Sequence, residues 1–402
     1  MKRLINIYSE IFPLKKVMLY RPNDEFLNII PDNLEHLSIY GISDLESLQK
    51  EHDALANILR KEGIDVIYLI DLIVESLNIN ANIREKFIKQ FINEANIKIP
   101  NIYKKVYKFL NEIKDTRKLV NKCIEGIRCS EINLGDDKFF LDNYKNGLII
   151  EPLPKLYLIH EYFFGVLNGA SLGHFKNTNC QRETIFIDYV LKYHPKYKNT
   201  KLYCNRYNEE FLNGRDLLVL SDEVLCIGVN QYTGDLAAYN FANEILKEKK
   251  IKHVIVVKMP TYLEKIHFDE FINMVDHDKF IVHNDLEKID SIYELSLHNE
   301  QIVVNELHMS FDKVLEKYLH LNEIVFIKCA NGNIIDSKRE EWQQAIGVLC
   351  IKPGVVIAYK TNKLTNESLK ANGIKVIELN TLELLKGKSG VRSIVMPLIR
   401  EK

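Results

Sequence analysis

The hydrophobic positions of the first seventy residues predict a strand, an amphipathic helix and a second strand. Residues 15–20 form a short apolar run that ends in the turn-forming sequence Arg-Pro-Asn-Asp. From Asp44 to Lys61 the apolar residues recur three and four positions apart, which is the spacing of one helical face. Gly63 is a typical helix stop, and the continuous apolar run from Ile64 to Ile70 is typical of a buried strand.

Between about Asp71 and Asn143 the pattern changes to helical spacing alone. This stretch holds few glycines and a single proline, Pro100, and its apolar residues again lie three and four positions apart. We predict an inserted helical bundle over residues 71–143, which serves packing and carries no chemistry. Residues 1–70 and 144–402 then form one α/β domain.

Strands and helices alternate after Glu151. The sequence DLLVLSDEVLCIGV, which begins at Asp216, predicts two strands around a Ser-Asp turn, and a helix and a further strand follow it. Helices are too few for every strand to be joined to a parallel neighbour, so we predict a mixed sheet architecture built from repeated strand–helix units. Because no glycine-rich phosphate loop follows a strand, we expect no nucleotide cofactor.

Composition narrows the class of protein. The chain of 402 residues has 54 basic and 55 acidic side chains, a balance that gives no electrostatic reason to expect nucleic acid or an anionic membrane as partner. We find neither a signal peptide nor a membrane-spanning stretch, so we expect a cytoplasmic protein. The seven cysteines form no C-x-x-C pair, and their odd number indicates reduced thiols.

Eight segments of the chain match one enzyme family in order and spacing. They are YSEIFPLKKVMLYRP, LQKEHDALANILRKEGIDVIYLIDL, PLPKLYLIHEYFFGVLNGASL, QRETIFIDYVLKYHP, LNGRDLLVLSDEVLCIGVNQYTG, HFDEFINMVDHDKFIVH, PGVVIAYKTNKLTNESLKANGIKVIEL and GKSGVRSIVMPLIREK. Over nearly its whole length the chain thus resembles the arginine deiminases, which convert L-arginine and water to L-citrulline and ammonia. The resemblance implies an α/β fold, the five-bladed pseudosymmetric α/β propeller called the pentein fold, with the helical segment as an inserted subdomain.

The family reaction needs a thiolate nucleophile, carboxylates that bind the guanidinium group, a histidine that moves protons and arginines that bind the substrate carboxylate. By resemblance, His267 and Asp269 match the acid/base histidine and one guanidinium-binding carboxylate. Arg182 matches an arginine that binds the substrate carboxylate, and Asp216 keeps the last position of its motif.

The other catalytic positions are changed. The family's nucleophilic cysteine aligns with Ser393. At neutral pH a serine hydroxyl is not deprotonated to a reactive anion, as a cysteine thiol can be. Glu161 replaces the second guanidinium-binding aspartate, and its extra methylene places the carboxylate about an ångström too far into a tight site. The neutral Asn213 replaces a glutamate, and Arg215 stands where the family has a glycine.

Three predicted substrate-binding positions are changed as well. Tyr232 and Lys388 replace arginines, and Lys155 replaces an asparagine, which puts a cation where a cationic substrate must enter. The stretch from Trp342 to Gly347 also departs from the family pattern. The surviving positions are explained either by residual ligand binding or by packing in a remodelled polar pocket.

We therefore predict an arginine deiminase-like protein without deiminase activity that acts by binding. L-Arginine or a related small molecule is the expected ligand, and we expect a homo-oligomer or a hetero-oligomer with an active deiminase. Slow arginine deimination is one alternative, and altered chemistry by His160, Glu161, His267 and Asp269 is another. We expect no metal or other cofactor, because the histidines and aspartates of this region show no recognised ligand spacing.

Overall fold

The computed structural model describes residues 4–134, 144, 147–208, 210–263 and 265–401. The helices differ in length, from four to 17 residues. They are α1 (Leu45–Lys61), α2 (Leu69–Leu77), α3 (Ala81–Glu94), α4 (Pro100–Glu112), α5 (Thr116–Glu125), α6 (Ile159–Tyr162), α7 (Thr178–Tyr193), α8 (Asp235–Leu246), α9 (Phe311–Leu319), α10 (Ile334–Trp342), α11 (Lys363–Ala371) and α12 (Val391–Ile394).

The strands are short, with two to eight residues each. They are β1 (Leu14–Leu19), β2 (Asp65–Tyr68), β3 (Ile127–Arg128), β4 (Leu148–Ile150), β5 (Phe163–Val166), β6 (Gly169–Leu172), β7 (Lys201–Cys204), β8 (Leu217–Val219), β9 (Val224–Val229), β10 (His253–Lys258), β11 (Ile272–Met274), β12 (Lys279–Val282), β13 (Ser291–His298), β14 (Gln301–Glu306), β15 (Val325–Lys328), β16 (Leu349–Lys352), β17 (Val355–Tyr359), β18 (Lys375–Leu379) and β19 (Met396–Arg400).

One connection pattern recurs five times in the described part of the chain. An antiparallel pair of strands is followed by a crossover that contains a helix and by a third strand parallel to the second. The units are β5-β6-β7, β8-β9-β10, β11-β12-β15, β16-β17-β18 and β19-β1-β2. The last unit joins the two ends of the chain, because β1 lies between β19 and β2. The predicted mixed α/β architecture of repeated strand–helix units is thus confirmed.

The helices α2 to α5 follow one another in the stretch with helical spacing. Their buried apolar residues belong to the same hydrophobic core as β1, α1 and α7, so they pack onto the α/β part of the molecule. The predicted subdomain boundary at residue 143 lies outside the described residues, and the division into domains stays a prediction.

The second predicted strand differs from the structure in length and burial. β2 is half-exposed instead of buried, because it is the edge strand beside β1, and Leu69 already begins α2. A continuous apolar run fits a strand followed directly by a buried helix as well as it fits one long buried strand.

Candidate functional site

A pocket of about 450 Å³ lies where the short helices and turns of several units converge. Seven residues singled out in the sequence line it. They are Lys155, Glu161, Asn213, Arg215, Tyr232, His267 and Lys388. By contrast, Ser393, Asp269 and Asp216 are fully buried behind its wall.

The guanidinium group of Arg215 occupies the centre of this site. Its Nε donates to Asp269 at 3.0 Å, its Nη1 to Glu161 at 3.3 Å and its Nη2 to Glu270 at 2.8 Å. The Ser389 hydroxyl accepts a further hydrogen bond from Nη1 at 3.0 Å. Three carboxylates therefore surround one buried arginine, and two of them are the predicted guanidinium-binding groups.

Local backbone structure directs Arg215 into this position. The turn Gly214–Asp216 follows Asn213, whose side-chain oxygen accepts the backbone N–H of Arg215 at 2.9 Å. Gly214 packs so closely against the carbonyl oxygen of His160 that a Cβ at this position would overlap it. Asn213 thus acts in the structure as a turn cap, and its neutral amide contributes no charge to the carboxylate cluster.

The charges of this cluster are mutually compensated. Burial raises the pKa of Asp269, but the charges of Arg215 and Arg392 outweigh it and hold that pKa below its ordinary value. For Glu161, the charges of Lys155 and Arg215 likewise outweigh burial and lower the pKa. Burial alone would lower the pKa of Arg215, and Asp269, Glu270 and Glu161 raise it instead. Asp269, Glu161 and Arg215 are therefore ionised at neutral pH.

Ser393 lies in α12, immediately behind the Arg215 cluster. Its Oγ donates to Oδ2 of Asp269 at 3.3 Å, the same carboxylate that binds Arg215 and Arg392. Because the pKa of Asp269 is lowered, this carboxylate is a weak base toward the hydroxyl. Burial, followed by the charge of Arg392, lowers the pKa of nearby His160 to about 3, so its imidazole is neutral.

His267 is held by two neighbours at the side of the pocket. Its Nδ1 lies 3.3 Å from Oδ1 of Asp216, and its ring stacks on that of Tyr232 with centroids 4.1 Å apart. Asp216 is itself fully buried and accepts hydrogen bonds from Asn230 and Thr233. The geometry orients the imidazole, and Asp216 stands behind the histidine and does not line the pocket.

Two lysines flank the pocket. Lys155 lies 3.3 Å from Glu161, on the side of that carboxylate away from Arg215. The ammonium of Lys388 lies over the rings of Tyr40 and Trp342, 4.6 and 4.1 Å from their centroids.

Arg182 is placed apart from the residues that line the pocket. Its Nη1 donates to Asn179 at 3.3 Å, and its guanidinium lies 5.0 Å from the centroid of Phe91 in α3. Burial lowers the pKa of Arg182 to about 10. Its role in binding a substrate carboxylate stays a prediction, and of these two contacts one is within α7 and the other is with the helical segment.

Cys180 lines the pocket and is the cysteine to consider as a substitute nucleophile. Burial raises the pKa of its thiol to about 12, which leaves almost no thiolate at neutral pH. All seven cysteines are free thiols.

Four residues that the sequence analysis did not single out complete the charge network. Glu270 binds Arg215, Ser389 accepts from it, and Arg392 pairs with Glu10 at 3.1 Å. Glu270 directly follows the His-Phe-Asp match, and Arg392 directly precedes Ser393, so neighbourhood in sequence was the available signal for these two. Glu10 lies in the first matched segment, far in sequence from the catalytic positions, and only the fold brings it to them.

Among the residues that the structure describes, no three His, Cys, Asp or Glu side chains converge as metal ligands do. No helix in those described ranges is both long and apolar enough to span a membrane.

Comparison with known proteins shows the family to which this chain belongs. A model of the family described as arginine deiminase matches residues 39–400. The chain belongs to the arginine deiminase family. An arginine deiminase from Treponema denticola is 38% identical over 407 residues, covering 99% of both chains. One from Streptococcus agalactiae is 36% identical over 403 residues, covering 99% of this chain and 98% of the relative.

Solved structures support the pentein fold. An amidinotransferase of saxitoxin biosynthesis from Microseira wollei matches with a TM-score of 0.57 at 11% identity, covering 99% of this chain and 98% of that one. Dimethylarginine dimethylaminohydrolase from Pseudomonas aeruginosa matches with a TM-score of 0.52 at 12% identity, covering 96% and 99%. At this identity the likeness concerns the fold, which agrees with the family to which the chain belongs.

Proposed function

We propose that this family member does not deiminate arginine and acts by binding a small molecule or a protein partner. The observation that carries the proposal is the guanidinium of Arg215, bound by Asp269, Glu161 and Glu270. A substrate guanidinium needs paired, charge-assisted hydrogen bonds from such carboxylates to be fixed for attack. Here those acceptors already hold a covalently attached arginine side chain.

The position of Ser393 supports the same conclusion. Covalent attack on a guanidinium carbon needs a nucleophile activated by a base or by a lowered pKa. The hydroxyl of Ser393 instead donates to Asp269, whose low pKa makes it a poor proton acceptor. Cys180, with a pKa of about 12, does not replace the missing thiolate.

Altered acid–base chemistry is less favoured by the geometry. A carboxylate with a raised pKa in the pocket would support it, but the pKa values of Glu161 and Asp269 are lowered. Glu183 does have a raised pKa, of about 8, but it is not among the residues that line the pocket.

Relatives of the same fold support a small-molecule ligand. One matched structure is a cysteine-to-serine mutant of dimethylarginine dimethylaminohydrolase complexed with citrulline. Another is a cysteine-to-serine mutant of an arginine dihydrolase bound to its substrate. A serine in place of a cysteine is thus compatible with ligand binding in those two proteins. Assembly into homo-oligomers, or with an active deiminase, remains part of the proposal and is tested by co-purification.

Citrulline release from L-arginine tests the proposal. We expect none from the wild-type protein and none from Ser393→Cys, because Arg215 still fills the guanidinium-binding site. Citrulline from the wild-type protein would overturn the proposal as a whole. Citrulline from Ser393→Cys alone would show that Arg215 does not block the site.

Chemical rescue of Arg215→Gly provides a second measurement that does not depend on activity. This variant removes the cation that the three carboxylates share, a loss of about 3–5 kcal/mol for a buried pair, while Glu161 keeps Lys155 and Asp269 keeps Arg392. We expect L-arginine to raise the Tm of Arg215→Gly and to leave that of the wild-type protein unchanged. Arg117→Gly, at a half-exposed ion pair with Asp71, is the control and should show no such rescue. Equal effects of L-arginine on both variants would contradict the assignment.

A further inference from the structure

The carboxylates of the pocket are already neutralised by the protein itself. Glu161 lies between Lys155 and Arg215, at 3.3 Å from each. Glu270 accepts hydrogen bonds from Arg215 at 2.8 Å and from Gln344 at 2.9 Å. Neither group is left to attract a cationic ligand.

The cations that face the pocket outnumber these carboxylates. Five basic side chains line it among the described residues, against the two glutamates. They are Lys155, Lys176, Arg215, Lys265 and Lys388. A cluster of like charges around a concave, partly low-dielectric space creates a positive potential that concentrates anions.

Lys388 is the cation best placed to contact a ligand. Within the described part of the chain its ammonium forms no ion pair, and it lies over the rings of Tyr40 and Trp342 at the entrance. Its backbone has φ 52° and ψ 52°, a left-handed conformation that residues with side chains seldom adopt. Such conformations persist where the surrounding structure imposes them, and they concentrate at ligand-binding sites.

The pocket also offers flat apolar surfaces. The rings of Tyr232 and His267 are stacked at 4.1 Å, and those of His174 and Phe211 at 5.5 Å with an interplanar angle of 8°. All four residues line a cavity whose volume of about 450 Å³ suits a small molecule. Planar bodies pack well against such faces.

We propose that this pocket binds a small organic carboxylate that carries no guanidinium or other cationic group. Its carboxylate is bound by Lys388 at the entrance, and its body packs between the aromatic faces. The inference rests on the proposed function, since Arg215 pairs with Glu161 and Glu270 and so leaves no free carboxylate for a cationic ligand. No glycine-rich phosphate-binding loop lines the pocket in the described residues, which favours a carboxylate over a phosphate.

Benzoate and benzamidine provide the test, because they share a ring and differ in the sign of their charge. Isothermal titration calorimetry of the full chain at low salt should detect benzoate binding and no benzamidine binding. Lys388→Met should weaken benzoate binding up to about fivefold, the effect of one partly exposed charge pair. Lys250→Met, at an exposed lysine outside the pocket, is the control and should bind as the wild type does.

Several results would overturn the inference. Benzamidine binding as tightly as benzoate would refute the charge argument, and unchanged benzoate binding by Lys388→Met would refute the site. Inorganic phosphate binding more tightly than benzoate would refute the ligand class. If neither benzoate binding nor citrulline release is observed, this inference alone is refuted. Citrulline release by the wild type would refute the proposed function itself.

Discussion

At the scale of single residues, the arginine at position 215 determines how the neighbouring carboxylates are paired. A glycine position that carries Arg215 brings a fourth, internal charge to Glu161, Asp269 and Glu270. Burial of unpaired carboxylates would cost several kcal/mol each, and Arg215 compensates this cluster together with Lys155, which pairs with Glu161, and Arg392, which pairs with Asp269. The altered site is therefore a complete charge network and not a damaged remnant of one.

Glu183 gives a pH-dependent prediction at the same scale. Burial raises its pKa to about 8, while its unfolded value is about 4.3. Between these values the folded state holds a proton that the unfolded state has lost, so stability falls as pH rises. We expect Glu183→Gln to reduce this loss by about 1.4 kcal/mol per pH unit between pH 5 and 8.

Chemical denaturation across that pH range measures the effect. Glu62→Gln, at an exposed carboxylate, is the matched control and should keep the wild-type slope. A Glu183→Gln variant with the wild-type slope would mean that Glu183 is ionised in the folded protein.

At the scale of elements, close backbone contacts hold α12 against the turn before β16. Gly390 precedes α12 and lies so near Gly347 that a Cβ would overlap its carbonyl group. The N–H of Arg392 donates to the same carbonyl at 3.1 Å. This contact determines where Ser393 and Arg392 meet Asp269.

Gly390→Ala is the corresponding prediction. Because the neighbour is backbone and cannot turn aside, we expect a destabilisation of about 1–3 kcal/mol in urea denaturation. Gly234→Ala is the matched control, since a Cβ there meets nothing within 4 Å, and should change stability by less than about 0.5 kcal/mol. Equal stabilities of the two variants would disprove the steric argument.

At the scale of the whole molecule, the two chain ends close one unit of the fold. β19 pairs with β1, and Met396 and Leu398 are fully buried. The guanidinium of Arg400 donates to the carbonyls of Phe12 at 2.8 Å and Cys350 at 2.7 Å. The last strand thus joins segments from opposite ends of the sequence.

Removal of this strand should abolish cooperative folding. We expect a chain that ends at residue 395 to lose its sharp thermal transition in circular dichroism, since β1 would lose its partner and the core its last strand. A chain that ends at residue 400 retains β19 and should unfold as the wild type does. A sharp transition in the shorter chain would show that β19 is dispensable.

The sequence by itself determined the family, the mixed α/β class and most helices and strands, because these follow from ordered motifs and from local hydrophobic spacing. It also identified Ser393, Glu161 and Arg215 as changed positions. Only the tertiary structure decided where the Arg215 side chain goes, and that Glu10 and Glu270 join the network. These contacts link residues distant in sequence, and charge compensation in a buried cluster depends on their three-dimensional separation, which no local pattern encodes.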